Sequence, residues 1–87
     1  MTVALSGRLD LESASMLGEA LKDVESKLND LTFDLENLDY ISSAGLRELL
    51  KIQRSMKLGS TIKAVNANEI VKEVFRFTGF DQLIELV

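Results

Sequence analysis

The chain has no cysteine, no histidine, no proline and no tryptophan. Without cysteine there is no disulfide, no thiolate nucleophile and no sulfur ligand for a metal. Without histidine the usual general base near neutral pH is gone. With it go the Ser-His-Asp and Cys-His machineries and the commonest zinc ligand. Carboxylates remain, so catalysis is disfavoured rather than excluded, and the expectation is a protein that is not an enzyme. The five glycines (7, 18, 45, 59 and 79) are scattered, and none opens a Gly-Lys-Ser/Thr run. Nothing therefore resembles a phosphate-cradling loop, and no cofactor is expected.

No apolar run approaches the ~20 residues of a membrane span. Met1-Thr2-Val3-Ala4-Leu5 lacks the basic start and long apolar segment of a signal peptide. A cytoplasmic location without membrane insertion is expected. Basic residues are the minority, 10 Lys and Arg against 14 Asp and Glu, and the net charge of −4 argues against nonspecific binding to nucleic acid.

What is present is a globular composition, 46% hydrophobic in 87 residues, which implies one domain over residues 1–87 and modest stability. Two patterns alternate. Strand-like pieces are expected at Val3–Ser6, Leu31–Leu35, Thr61–Val65 and Leu83–Val87. Between them apolar residues recur at three- and four-residue steps. Ala14, Leu17, Leu21, Val24 and Leu28 make the stripe of a first helix. Leu46, Leu49, Leu50, Ile52 and Met56 make that of a second, with Gly59 as its stop. A third runs from about Glu69 to Arg76 with Val71, Val74 and Phe75 apolar, Asn66 as its cap and Gly79 closing it. Phe77 and Phe80 flank that glycine and are expected to pack the helix end on the sheet. The order predicts an α/β fold, a small, mostly parallel or mixed sheet of about four strands.

In such a sheet the connections Gly7–Asp10, Glu36–Ser43 and Asn66–Asn68 leave from one edge, where α/β proteins place their sites. Asp10, Asp39, Ser42, Ser43 and Asn66 would share that surface. Asp10 doubles as a helix cap. Asp10 and Asp34 would meet if they stood on neighbouring strand ends, although Asp34 reads more simply as solvated. Tyr40 is a half-exposed aromatic of the kind that anchors interfaces. Arg47 reads first as a solvent-facing residue and second as a partner for phosphate. The plain structural role of Ser43 is an N-cap, yet capping needs only one of the two serines. Gly45 empties the first turn, so that backbone or a ligand can approach.

The run Asp34-Leu35-Glu36-Asn37-Leu38-Asp39-Tyr40-Ile41-Ser42-Ser43-Ala44-Gly45-Leu46, with Ser6-Gly7-Arg8-Leu9-Asp10 upstream, resembles the STAS domain of bacterial anti-sigma factor antagonists. The resemblance covers essentially the whole chain, and Ser42-Ser43-Ala44-Gly45-Leu46 is its specific part. It implies a sheet with helices packed chiefly on one face and a protein-binding module in sigma-factor control. Aligned on Gly45-Leu46, it places phosphorylation on Ser43, with Ser42 as the competing acceptor where many relatives carry aspartate. It implies that the unmodified form binds an anti-sigma factor that is also a serine kinase, that phosphorylation breaks the complex, and that a serine phosphatase restores it. Asp10, Tyr40, Ser42, Ser43, Ala44, Gly45 and Arg47 are the partner-binding residues this reading implies. The family's domains usually open with a strand ahead of the piece matching Val3–Ser6. Its absence here predicts an open sheet edge and the option of a homodimer. The alternative is a STAS adaptor of a transport complex or stress-signalling scaffold, whose serine is never modified.

Overall fold

The computed structural model describes residues 1–87. In chain order it has β1 (Thr2–Leu9), α1 (Leu11–Leu21), a 3-10 turn (Glu25–Lys27), β2 (Asp30–Ile41), α2 (Ser43–Ser55), β3 (Thr61–Val65), α3 (Glu69–Thr78), a second 3-10 turn (Phe80–Gln82) and β4 (Glu85–Leu86). The sheet order is β1-β2-β3-β4 and every pair is parallel. Three right-handed crossovers that all step in the same direction put all three helices on one face. The core lies between that face and the helices. Leu31, Phe33 and Leu35 are fully buried, Val71 and Phe75 reach them from α3, and no polar side chain is buried. Thr2, Ala4, Thr32, Asp34 and Lys63 occupy the alternate strand positions, which are exposed or only half-buried.

The first two strands run further than their period-two pattern suggests. β1 continues to Leu9 and β2 to Ile41. The register explains why. Ala4 pairs with Asp34 but Ser6 with Asn37, and Gly7 pairs with Leu38 but Arg8 with Tyr40. Each shift is a bulge that adds one residue to β2. The bulges set two exposed residues side by side, first Glu36-Asn37 and then Asp39-Tyr40, and break the alternation. The expected connections Gly7–Asp10 and Glu36–Ser43 therefore shrink to single residues, Asp10 and Ser42.

Other boundaries also move. α1 stops at Leu21, and Val24 is 36% exposed beyond it. The cap of α3 is Asn68, not Asn66: Asn68 Oδ1 accepts the Val71 amide at 2.8 Å. Asn66 instead takes a left-handed φ of 62° and donates its amide to Asp34 Oδ1 at 3.2 Å. Phe80 packs edge-on against Phe75 with centroids 6.3 Å apart. Phe77 does not pack on the sheet; it is 93% exposed. Two positions along a helix are about 200° around it, so Phe75 in the core turns Phe77 outward.

Candidate functional site

The last pair of the β1–β2 ladder, Leu9 with Ile41, delivers Asp10 and Ser42 side by side to the rim of the sheet. Each is the N-cap of the helix that follows. Ser13 N–H donates to Asp10 Oδ1 at 3.2 Å, and Asp10 N–H donates to Ser13 Oγ at 2.9 Å, closing a capping box. These bonds, the Ser13 amide first and its hydroxyl second, hold the Asp10 carboxyl below its ordinary value, with the Arg8 charge helping. Asp10 is a structural cap, half-buried at the start of α1.

Ser42 is the cap of α2, in place of Ser43. Its hydroxyl donates to the Leu9 carbonyl at 3.0 Å and accepts the Gly45 amide at 3.2 Å. Its own amide also donates to Leu9 at 2.9 Å. The reason is positional: a capping oxygen must reach the amide three residues on, and α2 starts at Ser43. Ser43 is thus the first residue of the helix. It is exposed, and its hydroxyl takes no part in the bonds that tie the turn. A Cβ on Gly45 would lie 2.6 Å from Leu9 O and 3.0 Å from Ile41 Cγ1. The empty position is therefore filled by the chain's own backbone. Ala44 and Arg47, with Leu11, Ala14, Ser15, Glu48 and Lys51, line a shallow cleft of about 290 Å³ between α1 and α2, beside Ser43.

The model of the family described as "Mlab, STAS domain" matches residues 1–86. The chain belongs to the STAS family. It is 28% identical over 85 residues to the anti-sigma-B factor antagonist of Bacillus subtilis (strain 168), covering 97% of this chain and 78% of that one. The crystal structure of an anti-sigma factor antagonist from Mycobacterium paratuberculosis superposes with a TM-score of 0.86 at 23% identity, over 98% of this chain and 74% of that one. The anti-sigma factor antagonist SpoIIAA, in its unphosphorylated form, superposes with a TM-score of 0.77 at 18% identity, over 99% and 77%. At those identities the two structures establish a shared fold.

Within this STAS rim Asp10, Ser42, Ser43, Ala44 and Arg47 come together, and Asp39 is exposed two residues before Ile41. Tyr40 lies just behind them. It is 41% exposed, alternates with buried Ile41 and so faces away from the helices, with the Arg8 guanidinium 5.1 Å from its ring centroid. Asn66 is not part of the cluster. β3 ends opposite Asp34, and β2 runs on from there to Ile41, a separation of roughly 20 Å at strand rise. For the same reason Asp34 does not meet Asp10. It pairs with Ala4 in mid-strand and accepts from the Glu36 amide and Asn66. Sequence reasoning missed Leu11, which is 74% exposed and shares the cleft with Ala44. No signal in the sequence marks it, because Leu11 stands three residues before Ala14 and reads as the start of the buried stripe.

Proposed function

We propose that the chain is an anti-sigma factor antagonist, a binding module without catalysis of its own, gated by phosphorylation of Ser43. The observation that carries this is the division of labour between the serines. Ser42 has its hydroxyl committed to Leu9 and Gly45, while Ser43 stands exposed and unengaged on the same rim. Its B. subtilis and M. paratuberculosis relatives carry the antagonist name, and SpoIIAA is described in an unphosphorylated form, which supports the reading. The unmodified rim binds an anti-sigma factor that is also a serine kinase. A phosphate on Ser43 brings about −1.5 to −2 charge to that surface, and a serine phosphatase removes it. The fold tolerates the anion because a helix N-terminus favours negative charge. Only the surface offered to the partner changes.

Mass spectrometry after incubation with the cognate kinase and ATP should map a single phosphate to Ser43. Phosphate on Ser42 would overturn the assignment. Ser43→Asp should keep the circular dichroism spectrum and lose the kinase in a binding assay; binding as tight as the parent's would sink the charge mechanism.

A second reading is a STAS adaptor on a larger complex, in which Ser43 is only a contact residue. The matching family model is described by Mlab and the STAS domain, with no anti-sigma role in its description. Affinity capture from native extract separates the two. A transport ATPase or permease subunit supports the adaptor, and a small histidine-kinase-like ATPase supports the switch.

A further inference from the structure

We propose that the exposed strip of α2 formed by Ser43, Arg47, Lys51 and Arg54 docks an acidic segment of the partner protein, and that phosphate on Ser43 closes it. At about 100° per residue these positions fall within roughly 80° of one another, three or four residues apart. They lie on the side of α2 opposite the buried Gly45, Leu46, Leu49 and Ile52, and all are exposed. From Ser43 to Arg54 the strip runs for roughly 16 Å at helical rise. Ser43 is its head, and the cations carry it along the helix away from the rim.

These cations have no partner of their own. The ion pairs of the chain are Met1 with Asp30 at 2.9 Å, Lys72 with Glu69 at 3.8 Å and Arg76 with Glu73 at 3.5 Å. Both cations of α3 are thus matched by a glutamate one turn away, and none of those on α2 is. The acidic residue of α2, Glu48, is turned to the flank facing α1. Its carboxylate fills the space over Gly18, where a Cβ would strike it. Glu19 shares a hollow with Lys51 without coming within ion-pair distance. Arg47 with Lys51 and Lys51 with Arg54 are therefore like-charge neighbours at i,i+4 and i,i+3, a spacing at which they destabilise a helix. Carboxylates arriving from outside relieve that repulsion.

Charge and size select the occupant. The chain as a whole carries −4, and the charged residues of the adjacent α1 are both acidic, Glu12 and Glu19. A long polyanion or an anionic membrane laid on α2 would overlap α1 and be repelled there. A protein segment one helix wide, presenting carboxylates over roughly 16 Å, is met by cations alone. Phosphorylation acts on the same strip. Phosphoserine in place of Ser43 brings about −1.5 to −2 charge to its head. It takes Arg47, one turn on, as its own counter-ion and repels carboxylates approaching Lys51 and Arg54. That last step rests on the function proposed above; the charge complementarity does not.

The probe is hexaglutamate, blocked at both ends and titrated into the isotope-labelled chain at low ionic strength, where exposed charges are little screened. It should shift the backbone amides around Arg47, Lys51 and Arg54 and leave those of Lys22, Lys27 and Lys63 in place. The triple variant Arg47→Gln/Lys51→Gln/Arg54→Gln should keep the circular dichroism spectrum, since glutamine is a good helix former, and lose the shifts. Against the purified anti-sigma factor kinase it should bind about tenfold more weakly, roughly twofold for each exposed charge pair lost. Phosphoserine installed in place of Ser43 by codon suppression, without any kinase, should weaken hexaglutamate binding several-fold. Shifts spread over every lysine, shifts that persist in the triple variant, or a phosphoserine form that binds like the parent would each overturn the proposal. So would tighter binding of oligothymidine or of phosphatidylglycerol vesicles through the same residues. If the triple variant fails to fold, Lys51→Gln alone gives the same reading at about twofold. A kinase that ignores the parent chain would sink the function proposed above, while the hexaglutamate titration still decides the strip. A kinase that binds parent and triple variant equally would sink the strip and leave that function standing.

Discussion

The Cβ that Gly45 lacks would sit 2.6 Å from the carbonyl oxygen of Leu9. That oxygen is the one that accepts both the amide and the hydroxyl of Ser42. The last carbonyl of β1 is thus the post against which the first turn of α2 is seated. Because the clash is with backbone, no rotamer relieves it. Gly45→Ala should destabilise the fold by about 1–3 kcal/mol, the usual cost of overpacking. Thermal denaturation checks this, and a melting temperature equal to the parent's would mean that α2 does not sit so close.

Removing the cap should separate the two serines by stability. Ser42→Ala loses the bond to Leu9 and leaves the Gly45 amide uncapped, a loss of about 1 kcal/mol. In a chain of this size that lowers the melting temperature by roughly 4–8 °C. Ser42→Thr keeps both the donor and the acceptor and should recover most of it.

Ser43→Asp should do the opposite. The residue is exposed at the start of α2, no acidic residue stands in that first turn, and Arg47 follows one turn on. A carboxylate there gains about 0.3–1 kcal/mol from the helix dipole. Denaturant titration should show unchanged or slightly raised stability, so that any loss of partner binding reports on the surface alone.

Asp10 makes the acid limb of stability testable. Its native carboxyl is held below the ordinary 3.8 by the Ser13 bonds. As pH falls the unfolded chain takes up this proton first, so the contribution is complete above 3.8 and disappears as pH drops through the native value. Asp10→Asn should flatten the stability profile below about pH 4 relative to the parent and leave its shape near neutrality unchanged. An identical acid limb in both proteins would show that Asp10 is not held this way.

The two phenylalanines of α3 should behave as opposites. Phe75 is fully buried and Phe77 is 93% exposed. Phe75→Ala should cost about 3–5 kcal/mol, whereas Phe77→Gln should stay within about 0.5 kcal/mol of the parent. Chemical denaturation of the two variants side by side is sufficient.

The legible parts of the fold were those with unbroken period. The alternation Leu31-Phe33-Leu35 marked a strand buried on one face, and Val71 with Phe75 marked the core side of α3. The upper half of β2 was hidden because two bulges break its alternation, and a bulge is defined by the partner strand, not by the residues that form it. The serine pair and Gly45 stood out from the chain alone, but their roles did not. Which serine caps depends on where α2 starts, and that is set by the Leu9 carbonyl, 33 residues earlier than Ser42.

By itself the sequence determined the alternation of strands and helices, hence a largely parallel sheet, and the rim on which a serine pair opens a helix. Both follow from short-range periodicity and from the handedness of crossovers, which need no partner to be read. Tertiary structure alone decided that Ser42 is held while Ser43 is free, that Asn66 lies away from the rim, and that the strand order β1-β2-β3-β4 puts all the helices on one face. Those outcomes turn on register between strands distant in the chain, and a hydrogen bond between two strands is written in neither of them.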